Sequence, residues 1–355
     1  MSAQTPPVLS IRGLTISRGP LPLVSDVGFD LAPGERLGII GESGSGKTLT
    51  ALAAMGLLPA SLTAAGQVLV KGQDLLSMAE RDRCEYRGSA ISMVFQEPMT
   101  ALNPTMRVGK QIAEAVRAHR RVSAAQARSR AIELLERAEF TDPARQARAY
   151  PHQLSGGQRQ RVMLAMAIAC DPAVILADEP TTALDVTVQE QVLALMSRLV
   201  AEEDSALVLI SHDLAIVSGM CERIVVMYGG RVAEAGRTRD VLAAPRHPYT
   251  AALIETSAAL TLDSDRSRAV LPSISGQVPS PATLPAGCPF QARCERATQA
   301  CESVPALVPA GGDDHRVACF HPVAVPAASS RRDTVPPSGT TPAPPGLTPP
   351  GEDTR

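Results

Sequence analysis

The stretch Gly41-Glu42-Ser43-Gly44-Ser45-Gly46-Lys47-Thr48 decides how the rest of the chain is read. It has the form G-x-x-x-x-G-K-T, the phosphate-binding P-loop, which needs a strand before it and a helix after it. Both are present in the pattern. Residues 37–40 are an apolar run, and residues 49–58 have helical character up to Pro59. Glycines let successive backbone N–H groups curl around phosphate oxygens, and the positive end of the helix dipole adds to the attraction. Gly41, Ser43, Gly44, Ser45 and Gly46 would form the cradle. Lys47 would reach the β- and γ-phosphates, and Thr48 would hold Mg²⁺.

Two stretches further along extend this chemistry. The apolar run 174–177 ends in Asp178-Glu179-Pro180. Open α/β sheets bind ligands at the carboxyl ends of their strands. Asp178 is therefore placed to join the Mg²⁺ shell, and Glu179, one residue on, to polarise an attacking water. Leu154-Ser155-Gly156-Gly157-Gln158 opens a helix. A serine and two glycines there read either as a second anion site or as a plain N-cap at Ser155. Two phosphate-gripping stretches in one chain suggest a nucleotide shared between subunits.

Around these motifs, residues 8–16, 29–31, 67–70, 91–95, 207–210, 224–227 and 231–234 read as strands, and 187–201 as a helix. Over residues 105–140, Val108, Ile112 and Val116, then Ala131, Leu134, Leu135 and Ala138, fall at helical spacing. This predicts a helical insertion between strands. Strand–helix alternation elsewhere predicts a largely parallel sheet flanked by helices.

The 355 residues leave room for about two domains. A net charge of −2, with no Trp, four Tyr and five Phe, gives neither a bulk polyanion partner nor a base-stacking platform, so no nucleic acid is expected. No apolar run approaches the ~18 residues needed to span a bilayer, and the N-terminus lacks a signal-peptide core. The expectation is a cytoplasmic protein unless a partner holds it at a membrane.

Tyr150-Pro151-His152-Gln153-Leu154-Ser155-Gly156-Gly157-Gln158-Arg159-Gln160-Arg161-Val162 resembles the signature of ATP-binding cassette (ABC) proteins. The order of motifs is similar too: the P-loop, Gln96 in Val94-Phe95-Gln96-Glu97-Pro98, the signature, Asp178-Glu179, Ala183-Leu184-Asp185, and Ile210-Ser211-His212-Asp213. The resemblance covers roughly residues 8–320. It implies an α/β, P-loop ABC ATPase fold: a mixed sheet with a RecA-like core, an antiparallel β subdomain and a helical subdomain, with a small Cys-rich C-terminal extension. It also implies a head-to-tail dimer, in which ATP on Lys47 of one subunit is covered by Ser155, Gly156, Gly157 and Gln158 of the other. Gln96 would sense Mg²⁺ and the attacking water, His212 would contact the γ-phosphate, and Asp185 would reach across the dimer. One departure stands out. Where the family stacks adenine on an aromatic residue, this chain has Arg18, which either stacks its guanidinium on the base or is a solvated loop arginine.

Residues 96–104 with Val108-Gly109-Lys110-Gln111-Ile112, and Arg246-His247-Pro248-Tyr249-Thr250, resemble oligopeptide and dipeptide importer ATPases. This implies a second ATPase subunit (a heterodimer is favoured), two transmembrane permease subunits and an extracytoplasmic solute-binding protein. The location would be peripheral, on the cytoplasmic face of the membrane. Nickel or glutathione are alternative solutes. A soluble ABC ATPase acting on DNA or ribosomes is the alternative of another class.

The expected organisation is a nucleotide-binding domain over 1–260, with its helical subdomain at about 97–170, then an extension over 261–325 and a disordered Pro-rich tail over 326–355. In the extension Cys288, Cys294, Cys301 and Cys319 follow C-x5-C-x6-C-x17-C. Four cysteines in a cytosolic segment with little core argue for a metal centre. The irregular spacing suits a [4Fe–4S] cluster, with zinc or no metal as the alternatives. His315 and His321 read as surface residues or further ligands.

Overall fold

The computed structural model describes residues 5–182, 184–262, 274–311 and 314–324. The tail expected over 326–355, and Ala183 of Ala183-Leu184-Asp185, lie outside the described residues. Strands β1 (Leu9–Arg18), β2 (Leu21–Leu31), β3 (Arg36–Ile40), β4 (Thr63–Val70), β5 (Gln73–Asp74), β6 (Ile91–Val94), β7 (Val174–Asp178), β8 (Ala206–Ile210), β9 (Arg223–Tyr228), β10 (Arg231–Arg237), β11 (Val308–Pro309) and β12 (Arg316–Val317) make two sheets. One is antiparallel in the order β2-β1-β4-β5, and the other runs β11-β12-β10-β9-β3-β8-β7-β6. Within the second sheet β9, β3, β8, β7 and β6 pair in parallel, and β10, β12 and β11 continue it antiparallel.

The parallel strands are legible because helices and the other sheet cover both their faces, so they carry unbroken apolar runs. Every residue of β6, β7 and β8 is buried. Alternate side chains go to different cores. Ile175, Ala177, Leu207 and Leu209 face a cluster built with the helices, and Val174, Leu176, Val208 and Ile210 face one shared with the antiparallel sheet. Strand β2 is far longer than residues 29–31. Pro22 hides its first half from a sequence reading, yet a proline is tolerated there because β2 is a sheet edge.

The helices are α1 (Lys47–Ala54), α2 (Glu80–Tyr86), α3 (Pro98–Ala101), α4 (Val108–His119), α5 (Ala124–Arg137), α6 (Pro143–Gln146), α7 (Gly156–Ala167), α8 (Val186–Glu202), α9 (Leu214–Met220), α10 (Thr238–Ala243) and α11 (Pro248–Leu262). The run α3 to α7 is the helical insertion between β6 and β7. Helix α1 stops before residue 58 because Gly56, at φ +62°, closes it. Gly56 N–H bonds to Ala53 C=O and Leu57 N–H to Leu52 C=O, the Schellman pattern that a left-handed glycine permits.

The C-terminal segment builds little secondary structure of its own. Instead β12 pairs with β10 and extends the main sheet. Cys288, Phe290 and Cys301 bury themselves in the same apolar cluster as α4, α5 and α7.

Candidate nucleotide site

The P-loop leaves the carboxyl end of β3 and turns into α1 with Gly46 as its N-cap at φ +98°. A Cβ at Gly46 would lie 2.8 Å from Val24 Cγ2, and one at Gly41 would lie 2.2 Å from the Met227 carbonyl oxygen. Only glycine lets the loop pass so close to the neighbouring strands. Ser45 is buried and its hydroxyl has no hydrogen-bond partner. An unpaired polar atom in a phosphate cradle fits an anionic ligand.

Lys47 Nζ donates to the carbonyls of Gly41 (2.7 Å) and Glu42 (3.1 Å). Burial pulls its pKa below the ordinary lysine value, and the carboxylates of Glu179, Asp178 and Glu42 oppose that. Next to it, the Thr48 hydroxyl donates to Asp178 Oδ1 at 3.1 Å. Asp178 is buried, and desolvation raises its pKa despite the Thr48 hydrogen bond and Lys47, with Glu179 adding to the rise. These two oxygen donors suit Mg²⁺, which is usually held by one or two protein groups together with substrate phosphates rather than by an all-protein cage.

Glu179 follows the end of β7 in a left-handed conformation, φ +44°, with its N–H bonded to Ile210 C=O. Such a φ in a non-glycine residue costs on the order of 1–3 kcal/mol and is commonest at functional sites. The strained backbone delivers one carboxylate oxygen to three side chains. Glu179 Oε2 lies 3.3 Å from Gln96 Nε2, 3.0 Å from the Thr182 hydroxyl and 3.3 Å from His212 Nδ1. Residues 43–49 with Gln96, Glu179 and His212 line one cleft of about 330 Å³. Its parts come from the ends of β3, β6, β7 and β8, all at the carboxyl edge of the parallel strands.

The remaining expected site residues lie elsewhere. Arg18 is exposed at the end of β1 and outside that lining. Ser155 is the N-cap of α7, within a reciprocal capping box with Gln158. Gly157 packs so closely on α8 that a Cβ would lie 2.5 Å from Val188 Cγ1. Asp185 caps α8 by accepting from Val188 N–H at 3.0 Å. Val186, beside Asp185, is 72% exposed, a large apolar side chain at the surface.

The metal centre that the spacing of the four cysteines suggested gains no support from the structure. Among the described residues no group of three or more His, Cys, Asp or Glu side chains is arranged to hold a metal ion. Neither zinc nor an iron–sulfur cluster gains support. The premise of a segment without a core also fails, because Cys288 and Cys301 are buried in the main apolar cluster. Cys288 N–H donates to Cys301 C=O at 2.9 Å. Burial pushes the Cys288 thiol up to about 11 and raises Cys294 and Cys319 as well, and the neighbouring thiols of the set add to the rise. His315 is not a surface residue either. It is buried, with Nε2 2.6 Å from Glu234 Oε1.

Glu234 also explains Arg246-His247-Pro248-Tyr249. Its carboxylate accepts from the backbone N–H groups of Arg246 (2.7 Å) and His247 (2.8 Å). His247 Nδ1, held neutral by burial with a pKa of about 4, accepts from Tyr249 N–H at 3.0 Å. The turn aims the Tyr249 hydroxyl at Glu42 N–H in the P-loop, 2.9 Å away. Sequence reading missed the roles of Glu42 and Tyr249, which lie within quoted motifs, and missed Thr182 altogether.

A family model described as "ABC transporter" matches residues 24–182, and one described as "Oligopeptide/dipeptide transporter, C-terminal region" matches residues 233–301. The Probable D,D-dipeptide transport ATP-binding protein DdpD of Escherichia coli is 44% identical over 324 residues, 90% of this chain and 98% of that one. This chain is an ABC ATPase of the oligopeptide/dipeptide transporter family. The Oligopeptide transport ATP-binding protein OppD of E. coli is 42% identical over 90% of this chain and 95% of its own. The Dipeptide transport ATP-binding protein DppD of Bacillus subtilis is 41% identical over 88% and 94%. Among solved structures, the dimeric post-hydrolysis state of the ATP-binding cassette MJ0796 bound to ADP and Pi aligns at TM-score 0.58 and 29% identity, over 65% of this chain and 99% of that one. Membership in the family brings ATP and Mg²⁺ as the expected substrate and metal. Among the described residues no helix is long and apolar enough to cross a membrane.

Proposed function

We propose that this ABC ATPase hydrolyses ATP to power peptide uptake through a membrane importer. It would be held at the cytoplasmic face of the membrane by two permease subunits and paired with a second ATPase subunit, a homologous chain rather than a copy. An extracytoplasmic solute-binding protein would deliver the peptide. The relatives named for dipeptide and oligopeptide transport support the solute class. Phe95 and Met99, 37% and 50% exposed on either side of Gln96, suit contact with a membrane partner.

The observation that carries the chemistry is the convergence on Glu179 Oε2 across the cleft from Lys47 and Thr48. In this reading the P-loop N–H groups and Lys47 bind the phosphates, and Thr48 and Asp178 hold Mg²⁺, which neutralises charge on them. Gln96 and His212 keep the Glu179 carboxylate aimed at the attacking water, from which Glu179 takes a proton. The exposed Ser155 would face a partner's nucleotide, Gly157 packs α7 against α8, and Asp185 caps that same helix. Glu179→Gln keeps the side chain's shape and removes the base. It should bind Mg-ATP with near-native affinity and lose about a hundredfold or more in turnover. Near-normal turnover in Glu179→Gln would remove Glu179 from this role. Uptake of a labelled dipeptide by cells with and without the gene tests the solute.

A further inference from the structure

The C-terminal segment reaches back to the P-loop. Arg293, whose side chain is 5% exposed, makes a two-pronged ion pair with Glu42: Nη1 to Oε2 at 2.7 Å and Nη2 to Oε1 at 3.2 Å. Its other donors are used as well. Nη1 reaches the Tyr228 hydroxyl (3.2 Å), Nε the Ser275 carbonyl (2.8 Å) and Nη2 the Ile274 carbonyl (3.2 Å). Glu42 is thereby held at three points. Its carboxylate is held by Arg293, its N–H by Tyr249 and its carbonyl by Lys47. Phe290 wedges beneath, with ring centroids 5.1 Å from Tyr228 and 5.5 Å from Tyr249, and the Arg293 guanidinium lies 5.8 Å from the Tyr228 ring centre. In a chain with only four Tyr, five Phe and no Trp, three rings are spent on this junction.

We infer that Arg293 is a positioning residue for the nucleotide site: it neutralises Glu42 and fixes the P-loop in the shape that receives the triphosphate. The inference rests on the P-loop binding nucleotide. A bidentate arginine–carboxylate pair sets orientation as well as charge. Without Arg293, a half-buried carboxylate stands uncompensated in the loop that must bind a polyanion. The C-terminal segment is then a working part of the ATP site, although it lies more than two hundred residues further along the chain.

The test measures the Kd for Mg-ATP and thermal melting on the full-length chain, and KM and kcat in the assembled transporter. Arg293→Ala should raise Kd and KM about tenfold, while kcat stays within about twofold. Arg293→Lys, which keeps the charge but not the fork, should fall between. Glu42→Gln placed in the Arg293→Ala background should bring Kd back to within about threefold of native, because the uncompensated charge is gone. If Arg293→Ala melts like the native chain and binds Mg-ATP as tightly, the inference fails. It also fails if Arg293→Ala and the double variant lose affinity and melting temperature alike, which marks a mere packing tie. Should Arg293→Ala not fold, Arg293→Lys decides: native affinity there overturns the inference, and weakened affinity with native melting upholds it. A native chain that binds no Mg-ATP at all would instead sink the nucleotide reading beneath it.

Discussion

Two helices of this ATPase begin with glycine and serine, and they begin in opposite ways. Helix α1 starts from Gly46 in a left-handed conformation with no side chain capping it, beside the buried and unpartnered hydroxyl of Ser45. Helix α7 starts from Ser155, whose side chain and Gln158 satisfy each other's backbone in a closed capping box. A helix start leaves orphan N–H groups that need partners. At α7 the chain supplies a partner itself, and at α1 it leaves them to a ligand. The P-loop side is thus incomplete in this chain alone. The signature side is a finished piece of folding whose use depends on what docks against it.

The largest effect that sharpens this contrast belongs to Lys47→Ala. It removes the one ammonium in the cleft, so Mg-ATP affinity of the isolated chain should fall about a hundredfold or more, as measured by equilibrium binding. A Lys47→Ala chain that still binds Mg-ATP tightly would mean that the backbone cradle suffices and that α1 differs less from α7 than its geometry suggests. Next is Gly46→Ala. The added Cβ meets Val24 at 2.8 Å and the residue must hold φ +98°. A loss of about 1–3 kcal/mol in stability, read from denaturant midpoints, should accompany weaker nucleotide binding.

This asymmetry also separates what was legible in the sequence from what was not. The P-loop, the Asp178-Glu179 strand end and the parallel strands are local patterns, and a local pattern needs no knowledge of the fold. So is the opening of α7, although the sequence could not tell an anion site from a cap there. Glu42 looked like one of the motif's free positions. Its meaning comes from Tyr249 and Arg293, whose hydrogen-bond partners are 207 and 251 residues away in sequence. The surroundings of Cys288 and Cys301 were hidden for the same reason. The core that buries Cys288 and Cys301 belongs to helices and strands far upstream, so the segment looked coreless when read alone.

A smaller effect is expected at the α7 start. Ser155→Ala opens the capping box and should cost about 1 kcal/mol of stability. It should leave Mg-ATP binding by the isolated chain unchanged, since Ser155 is not part of the P-loop cleft. Turnover in the assembled transporter should fall more than stability does. Equal binding with reduced assembled turnover would sharpen the division between the two helix starts. Weaker binding by the isolated Ser155→Ala chain would break it.

The last test asks whether the incompleteness at α1 carries a measurable cost. Asp178 is buried beside Thr48, and desolvation, reinforced by Glu179, raises its pKa above the ordinary 3.8. The unfolded chain therefore gives up this proton more readily than the folded one. At neutral pH the ionised, buried Asp178 works against folding, and that penalty is relieved as pH falls through the raised pKa toward 3.8. Among the described residues no comparable buried acid stands at the α7 start, where Ser155 and Gln158 are uncharged. Asp178→Asn can still accept from Thr48 and carries no charge. Without Mg²⁺ it should melt higher than the native chain at pH 7, with the gap closing toward pH 4, while Mg-dependent ATP turnover is lost. A native chain that melts as high as Asp178→Asn at pH 7 would mean that Lys47 already compensates the carboxylate and that the P-loop side stores no such cost.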